Sequence, residues 1–206
     1  MKFAMDLICS CLFTDGGWDK KDWLQVKSPR WEHTGEWIQG KDHICNRVPD
    51  GVDEIELMGS KAGRTYSSML YKELVTDFVV GVEMSFDDRM APLIVLSGAP
   101  AENSDGSLVY RDHIEVVLFD EGVNVWSHSW NETNGPTWEK LGFFQLPRLP
   151  KERYLLEVTR SGEQLLNIRC NEQSFEVAAD LPERLHVGIT GCEGINRFYE
   201  FSLSAI

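Results

Sequence analysis

No stretch of the chain approaches the roughly 20 apolar residues of a membrane-spanning helix, so a helical membrane protein is not expected. The opening MKFAMDLICSCLF is interrupted by Asp6 and has no long apolar run. It reads as a first strand rather than a secretory leader. Basic clusters are missing too. Twenty Lys and Arg face 33 Asp and Glu, for a net charge of −13. Such a surface repels phosphate backbones and anionic lipid, so neither nucleic acid nor membrane is expected as a partner. There is no CxxC. The five cysteines, Cys9, Cys11, Cys45, Cys170 and Cys192, are odd in number. Cys9-Ser10-Cys11 is too tight for a common zinc knuckle and has no second Cys/His pair nearby. Unbridged thiols in a reducing compartment follow, with the cytoplasm as the expected location. GxSxG, phosphate-cradling glycine loops, internal repeats and long helical periodicity are all absent.

What remains is a succession of short strands. Phe78, Val80, Val82, Met84 and Phe86 alternate with more polar neighbours, the mark of a half-buried strand. Leu93–Leu96 is continuously apolar and fits a central strand. Ile8–Phe13, His43–Asn46, Tyr66–Tyr71, Ser174–Val177, Leu185–Thr190 and Arg197–Leu203 are further strands. Asp19–Val26 reads as helix or loop, and Trp31–Ile38 is interrupted by Gly35. Residues 52–64 read as loop after the turn Val48-Pro49-Asp50-Gly51. A hairpin around Arg160-Ser161-Gly162 sorts best with Gly162 left-handed, pairing Leu156 with Leu166 and Tyr154 with Ile168. Residues 99–109 and 131–150 are expected to be long connections, the first overhanging or rimming the strand pair that follows it. The second contains Trp138, Phe143 and Phe144. A helical turn is expected near Asp180–Arg184. Many short strands, turn signals every 8 to 15 residues and no βα alternation predict one all-β domain over 1–206, an antiparallel sandwich or barrel.

The segment Tyr110–Trp130, YRDHIEVVLFDEGVNVWSHSW, carries the chemistry. It reads as two strands around Asp120-Glu121-Gly122. Side chains alternate between faces. An even register puts Glu115 opposite His128, Val117 opposite Trp126, Phe119 opposite Asn124 and His113 opposite Trp130. One face then holds Ile114, Val116, Leu118 and Val125. The other holds His113, Glu115, Asn124, Trp126, His128 and Trp130, a poor core face but a plausible sugar platform.

Glu115 with His113 and His128 forms a candidate acid/base group, since a carboxylate orients an imidazole that titrates near neutrality. A cross-strand contact that merely satisfies these groups would look the same. Two imidazoles and a carboxylate could also hold a metal, but nothing else signals one and no metal is expected. Trp126, Trp130, Asn124 and Arg111 are the candidate substrate-binding residues. Arg111 and Asp112 either gate the strand's end or are rim charges. Structural calcium at Asp87-Asp88 or near Asp105 would suit oxygen-rich turns. Solvated turns would read alike, and no cofactor is expected.

Three later stretches, YLLEVTRSGEQLLNIRCNEQSFEV, LHVGITGCEG and INRFYEFSLSA, resemble the closing strands of concanavalin A-like jelly rolls. The early WEHTGEWIQG is similar to the opening of single-domain members associated with sugar metabolism. The resemblance implies two curved sheets, a ligand on the concave face and a carbohydrate substrate. The expected fold is then a two-sheet antiparallel β-sandwich, and three functions are open: a glycosidase- or lyase-like enzyme acting on oligosaccharide or polysaccharide fragments, a non-catalytic glycan-binding module, or a sandwich using that face for contact with a second copy of itself. Retaining glucanases of this superfamily carry Glu-x-Asp-x-x-Glu on one strand. Here HIEVVLFDE has Val117 where the aspartate belongs, and Asp120 and Glu121 in the turn. The carboxylate pair at roughly 5–5.5 Å is not supplied by this strand. The arginine-rich and Gln-x-His strands of the jelly-roll alginate lyases are also missing.

Overall fold

The computed structural model describes residues 5–28, 33–46, 65–87, 90–131, 135–162 and 164–206. Trp31, the 48–51 turn, the 52–64 loop and Asp88 lie outside these. Among the described residues there are eighteen strands and a single 3-10 turn, Lys20–Asp22. They form two sheets. The eight-stranded sheet runs β16 (Gln173–Ala178), β15 (Leu165–Cys170), β14 (Tyr154–Arg160), β7 (Phe78–Phe86), β18 (Asn196–Ala205), β5 (Ile44–Asn46) and β4 (Trp37–Gln39), with β1 (Asp6–Leu12) also on β18. The ten-stranded sheet runs β13 (Gly135–Gln145), β12 (Gly122–Asn131), β11 (His113–Phe119), β8 (Met90–Ser97), β17 (His186–Cys192), β6 (Thr65–Tyr71), β2 (Trp23–Lys27), β10 (Leu108–Val109) and β9 (Ala101–Glu102), with β3 (His33–Thr34) on β6. Pairing is antiparallel except for two short parallel ladders, β2–β10 and β3–β6.

The main core lies between the sheets. Val80, Val82, Met84 and Phe201 from one meet Ile94, Leu96, Val116 and Ile189 from the other, all fully buried. A second, smaller cluster covers the opposite face of the ten-stranded sheet and includes Tyr66, Leu93, Val95, Tyr110 and Val117. Strand β11 is therefore buried on both sides, which explains its nearly unbroken apolar text.

Several expectations are corrected. Asp19–Val26 resolves into the 3-10 turn, capped by the Asp19 carboxylate accepting from Lys21 N, and strand β2. Residues 131–150 are mostly strand: β13 runs eleven residues along β12 as the sheet's edge. Residues 99–109 do not overhang the β11–β12 hairpin. Their strands β9 and β10 lie at the far edge, against β2. In the β14–β15 hairpin, Arg160 pairs with Leu166, Val158 with Ile168 and Leu156 with Cys170. Gly162 is left-handed as expected, at φ 91°. The hairpin extends further than expected because buried Arg160 is satisfied by the carbonyls of Gly162, Pro182 and Glu183. No helix forms at Asp180–Arg184, where the chain serves instead as carbonyl acceptor for Arg160.

Candidate active site on the outer face of the ten-stranded sheet

In the β11–β12 hairpin, Phe119 pairs with Gly122, Val117 with Asn124, Glu115 with Trp126 and His113 with His128. This is the expected even register displaced by two residues. The positive φ falls on Gly122, at 146°, where a Cβ would meet the Phe144 carbonyl oxygen at 2.0 Å. The turn thus closes on Asp120-Glu121 alone, and Leu146 N and Arg148 N brace it through the carbonyls of Glu121 and Asp120. A two-residue slide leaves every side chain on its original face. His113, Glu115, Asn124, Trp126, His128 and Trp130 do share the outer face.

On that face His113 and His128 stack, ring centres 4.7 Å apart and planes 15° apart. Tyr110 stacks on the other side of His113 at 4.8 Å. Glu115 reaches both imidazoles: its Oε1 lies 3.2 Å from His113 Nε2 and its Oε2 3.0 Å from His128 Nε2. All three side chains are buried, at 3%, 7% and 4% exposure for His113, Glu115 and His128. His113 Nδ1 lies 3.0 Å from the Arg111 carbonyl oxygen. A carbonyl only accepts, so Nδ1 carries a proton. The contact from Nε2 to a carboxylate oxygen needs a second one. The His113–Glu115 pair therefore holds a proton that neutral imidazole and carboxylate together would lack. Beneath the stack, burial raises the Tyr110 phenol well above its ordinary value, and its hydroxyl lies 2.6 Å from Ser68 Oγ.

The donor atoms of His113, Glu115 and His128 lie within 4.8 Å of one another, close enough to test as a metal set. The two rings are nearly parallel, so their nitrogen lone pairs run side by side instead of converging on one point. The arrangement suits a carboxylate shared by two imidazoles better than a coordination sphere. Of the other oxygen-rich turns, Asp87 pairs with Arg197, and Asp105 accepts from Ser107 and lies 3.6 Å from Lys27.

Two cavities meet at this cluster. The first, of about 250 Å³, is lined by Glu115, Asn124, Trp126, Trp138, Cys192 and Glu193, with Val117 and Leu93 as its floor. Asn124 Oδ1 is buried with no hydrogen-bond partner among the described residues. Lys140 Nζ sits 4.8 Å from the Trp126 ring centre. The second, of about 490 Å³, is bounded by His113, His128, Arg111, Asp112, Asp180 and Pro182. Glu115 thus faces one cavity while its histidine partners face the other. Of the expected site residues, Glu115, Asn124 and Trp126 come together in the first cavity. Arg111 belongs to the second. Trp130 lies past the paired part of the hairpin and joins neither wall; its backbone N–H donates to Asp112 Oδ1 and its ring lies 6.0 Å from the Arg111 guanidinium. Trp138 and Glu193 were not legible as site residues. Trp138, 59% exposed, reaches the cavity because β13 is a strand and sets it opposite His128.

No protein-family model matches the sequence, and no curated protein matches it either. Solved structures do. The chain superposes over 98% of its length on β-agarase A from Zobellia galactanivorans, with a TM-score of 0.65, 9% identity and 92% of that chain covered. The κ-carrageenase of Pseudoalteromonas carrageenovora, solved with an oligotetrasaccharide of κ-carrageenan, gives 0.60 at 9% identity over 98% of this chain and 95% of that one. The carbohydrate binding module CBM66 from Bacillus subtilis gives 0.57 at 12%, over 86% and 92% respectively. The chain has the concanavalin A-like jelly-roll fold. Within this jelly roll, the strand with Glu115 has buried Val117 and then Phe119 in the next two places on its face. A glucanase-type acid pair along one strand is therefore absent here. No helix among the described residues is long and apolar enough to cross a membrane.

Proposed function

We propose that this jelly roll takes a carbohydrate in the Trp126 cavity and acts on it as an enzyme, a glycoside hydrolase or polysaccharide lyase working on oligosaccharide or polysaccharide fragments. One observation carries the reading: a buried carboxylate, with its two oxygens 3.2 and 3.0 Å from the nitrogens of two stacked imidazoles, forms the wall of a tryptophan-lined cavity. A sandwich core needs no such cluster. A protonated carboxyl beside a sugar ring is the arrangement for giving a proton to an oxygen or taking one from carbon. Trp126 and Trp138 offer apolar faces for a pyranose ring. The likeness to agarase and carrageenase supports a carbohydrate ligand. A non-catalytic glycan-binding role is the second reading, supported by the likeness to CBM66 and by the exposure of Trp138. A cytoplasmic location is supported by five cysteines that stand as thiols.

A thermal-shift screen of glycan fragments, with product analysis on every hit, tests this. Stabilisation by at least one neutral or acidic oligosaccharide is expected, with new reducing ends or unsaturated ends appearing. A screen in which no fragment raises the melting temperature would sink the carbohydrate reading.

A further inference from the structure

We infer that Glu193 is the second working carboxylate of this cavity, and that with Glu115 it makes the site a hydrolase of neutral glycosides. The inference rests on the carbohydrate reading above. Glu193 lines the same cavity as Glu115 and Trp126, but comes from the connection between β17 and β18. Its backbone is left-handed, at φ 54°, followed by Gly194 at φ 120°. That region favours glycine, asparagine and aspartate; a longer side chain there is uncommon and carries strain. Local chain chemistry would not choose glutamate.

The surroundings hold the connection in place. Asn46 Nδ2 donates to the Gly194 carbonyl at 2.5 Å, and Asn46 Oδ1 accepts from Asn196 N at 2.8 Å. Asn196 Oδ1 accepts from Cys192 N at 2.7 Å. Both asparagines are buried, at 2% and 0% exposure. Two buried amides thus bracket the strained residue on either side. Strain that its surroundings over-determine, at a cavity wall, is the pattern of a functional position.

The β11 strand lacks a second acid on its own face, and Glu193 supplies one from elsewhere. Glu115, holding the proton it shares with His113, gives it to the glycosidic oxygen as the bond from that oxygen to the anomeric carbon breaks. The Glu193 carboxylate takes a proton from the water whose oxygen bonds to that carbon. Glycoside and water become a hemiacetal and an alcohol. Exchange with solvent returns one proton to Glu115 and removes one from Glu193.

The test uses laminaritetraose, agarotetraose, cellotetraose and xylotetraose with the wild type, Glu193→Gln, Glu193→Gly, Glu115→Gln and Trp126→Ala. At least one tetrasaccharide should bind the wild type and be cleaved, and Trp126→Ala should abolish its binding. Glu193→Gln should bind it within a few-fold while turnover falls by about 10²–10⁴, as in Glu115→Gln. Glu193→Gly should lose turnover equally yet melt no lower than the wild type, since glycine accepts the left-handed backbone. Wild-type turnover in Glu193→Gln, a clear drop in the Glu193→Gly melting temperature, or binding with no cleavage by the wild type would each overturn the role of Glu193 and leave the carbohydrate reading standing. Failure of all four sugars to bind the wild type would overturn the neutral-glycoside hydrolase; the carbohydrate reading itself falls only if the acidic fragments of the wider screen fail to bind as well.

Discussion

Replacing Glu115 with leucine and with glutamine should have opposite consequences for stability and similar ones for turnover. Glu115 is 7% exposed; its Oε1 hydrogen-bonds with His113 Nε2 at 3.2 Å and its Oε2 lies at ion-pair distance, 3.0 Å, from His128 Nε2. Leucine of similar size leaves two buried imidazole nitrogens without that acceptor. A buried polar group so orphaned costs about 1–3 kcal/mol, so the pair sets a loss of about 2–6 kcal/mol. Native domains hold about 5–15 kcal/mol in all, which makes this a large fraction. With a urea slope of roughly 2–3 kcal/mol/M, the midpoint should fall by about 0.7–3 M. Glutamine behaves differently. His113 Nδ1 stays committed to the Arg111 carbonyl. The glutamine amide can then donate to a bare His113 Nε2, while its oxygen accepts from His128 Nε2. Every group keeps a partner, and the loss should stay near ~1 kcal/mol. Turnover of any sugar found by screening should nonetheless fall by about 10²–10⁴-fold in the glutamine variant, because no titratable proton remains. Urea midpoints and initial rates on the same preparations decide. A leucine variant as stable as wild type, or a glutamine variant as damaged as the leucine one, would refute the carboxylate bridge as the element that satisfies the histidines.

Two further outcomes are expected. Trp126→Ala should abolish sugar binding and cost clearly less stability than Trp23→Ala. Trp23 is 7% exposed, with ring centres of Phe201, Tyr71 and Phe13 at 4.9, 5.6 and 5.9 Å, and should cost about 3–5 kcal/mol; denaturant midpoints and binding isotherms compare the two, and an equal loss of stability would place Trp126 in the core. Among the thiols, a hydrogen bond from Cys11 lowers Cys9 below the ordinary value, while the same contact together with burial raises Cys11, and burial raises Cys170. More thiolate means faster alkylation, so iodoacetamide near neutral pH should label Cys9 ahead of Cys11 and Cys170, and denaturant without reductant should expose five thiols by mass; early labelling of Cys170 or a mass showing fewer than five would contradict the assignment.

The faces of the central hairpin were legible because strand periodicity is two. The register was not, because sliding by two residues keeps each side chain on its face and so leaves no trace in the pattern. What fixes the register is Gly122, whose backbone leaves no room for a side chain beside the Phe144 carbonyl. That contact comes from β13, which the sequence hides. Its text, GPTWEKLGFFQ, has two glycines and a proline, and its pairing with β12 shifts between Val125 and Trp126. A bulge breaks alternation, and an edge strand with one exposed side lacks an apolar stripe. Trp138 was lost with it. Glu193 was hidden for another reason: it owes its place to Asn46, about 150 residues away in the chain by the separation of Asn196 from Asn46, and no local pattern reports a buried amide pair.

The same geometry explains why this hairpin can carry a buried polar cluster at all. Ile114, Val116 and Leu118 anchor β11 in the main core, each at 1% exposure or less. Their alternates face away from the other sheet, so side chains there can change without opening the core. Yet this second face is also covered: Val117 and Val95 beside Glu115 are buried, and Tyr110 lies flat on His113. A polar group placed there is both dispensable to the sandwich and shielded from water. Burial of that kind is costly for a lone carboxylate, and the cost is met within the cluster, by two imidazoles and a backbone carbonyl. Apolar side chains would fill the same face with no such requirement, as they do one step along the strand at Val117. Stability alone therefore does not account for a carboxylate at 115 and imidazoles at 113 and 128, and the proton transfer proposed for this shielded cavity would.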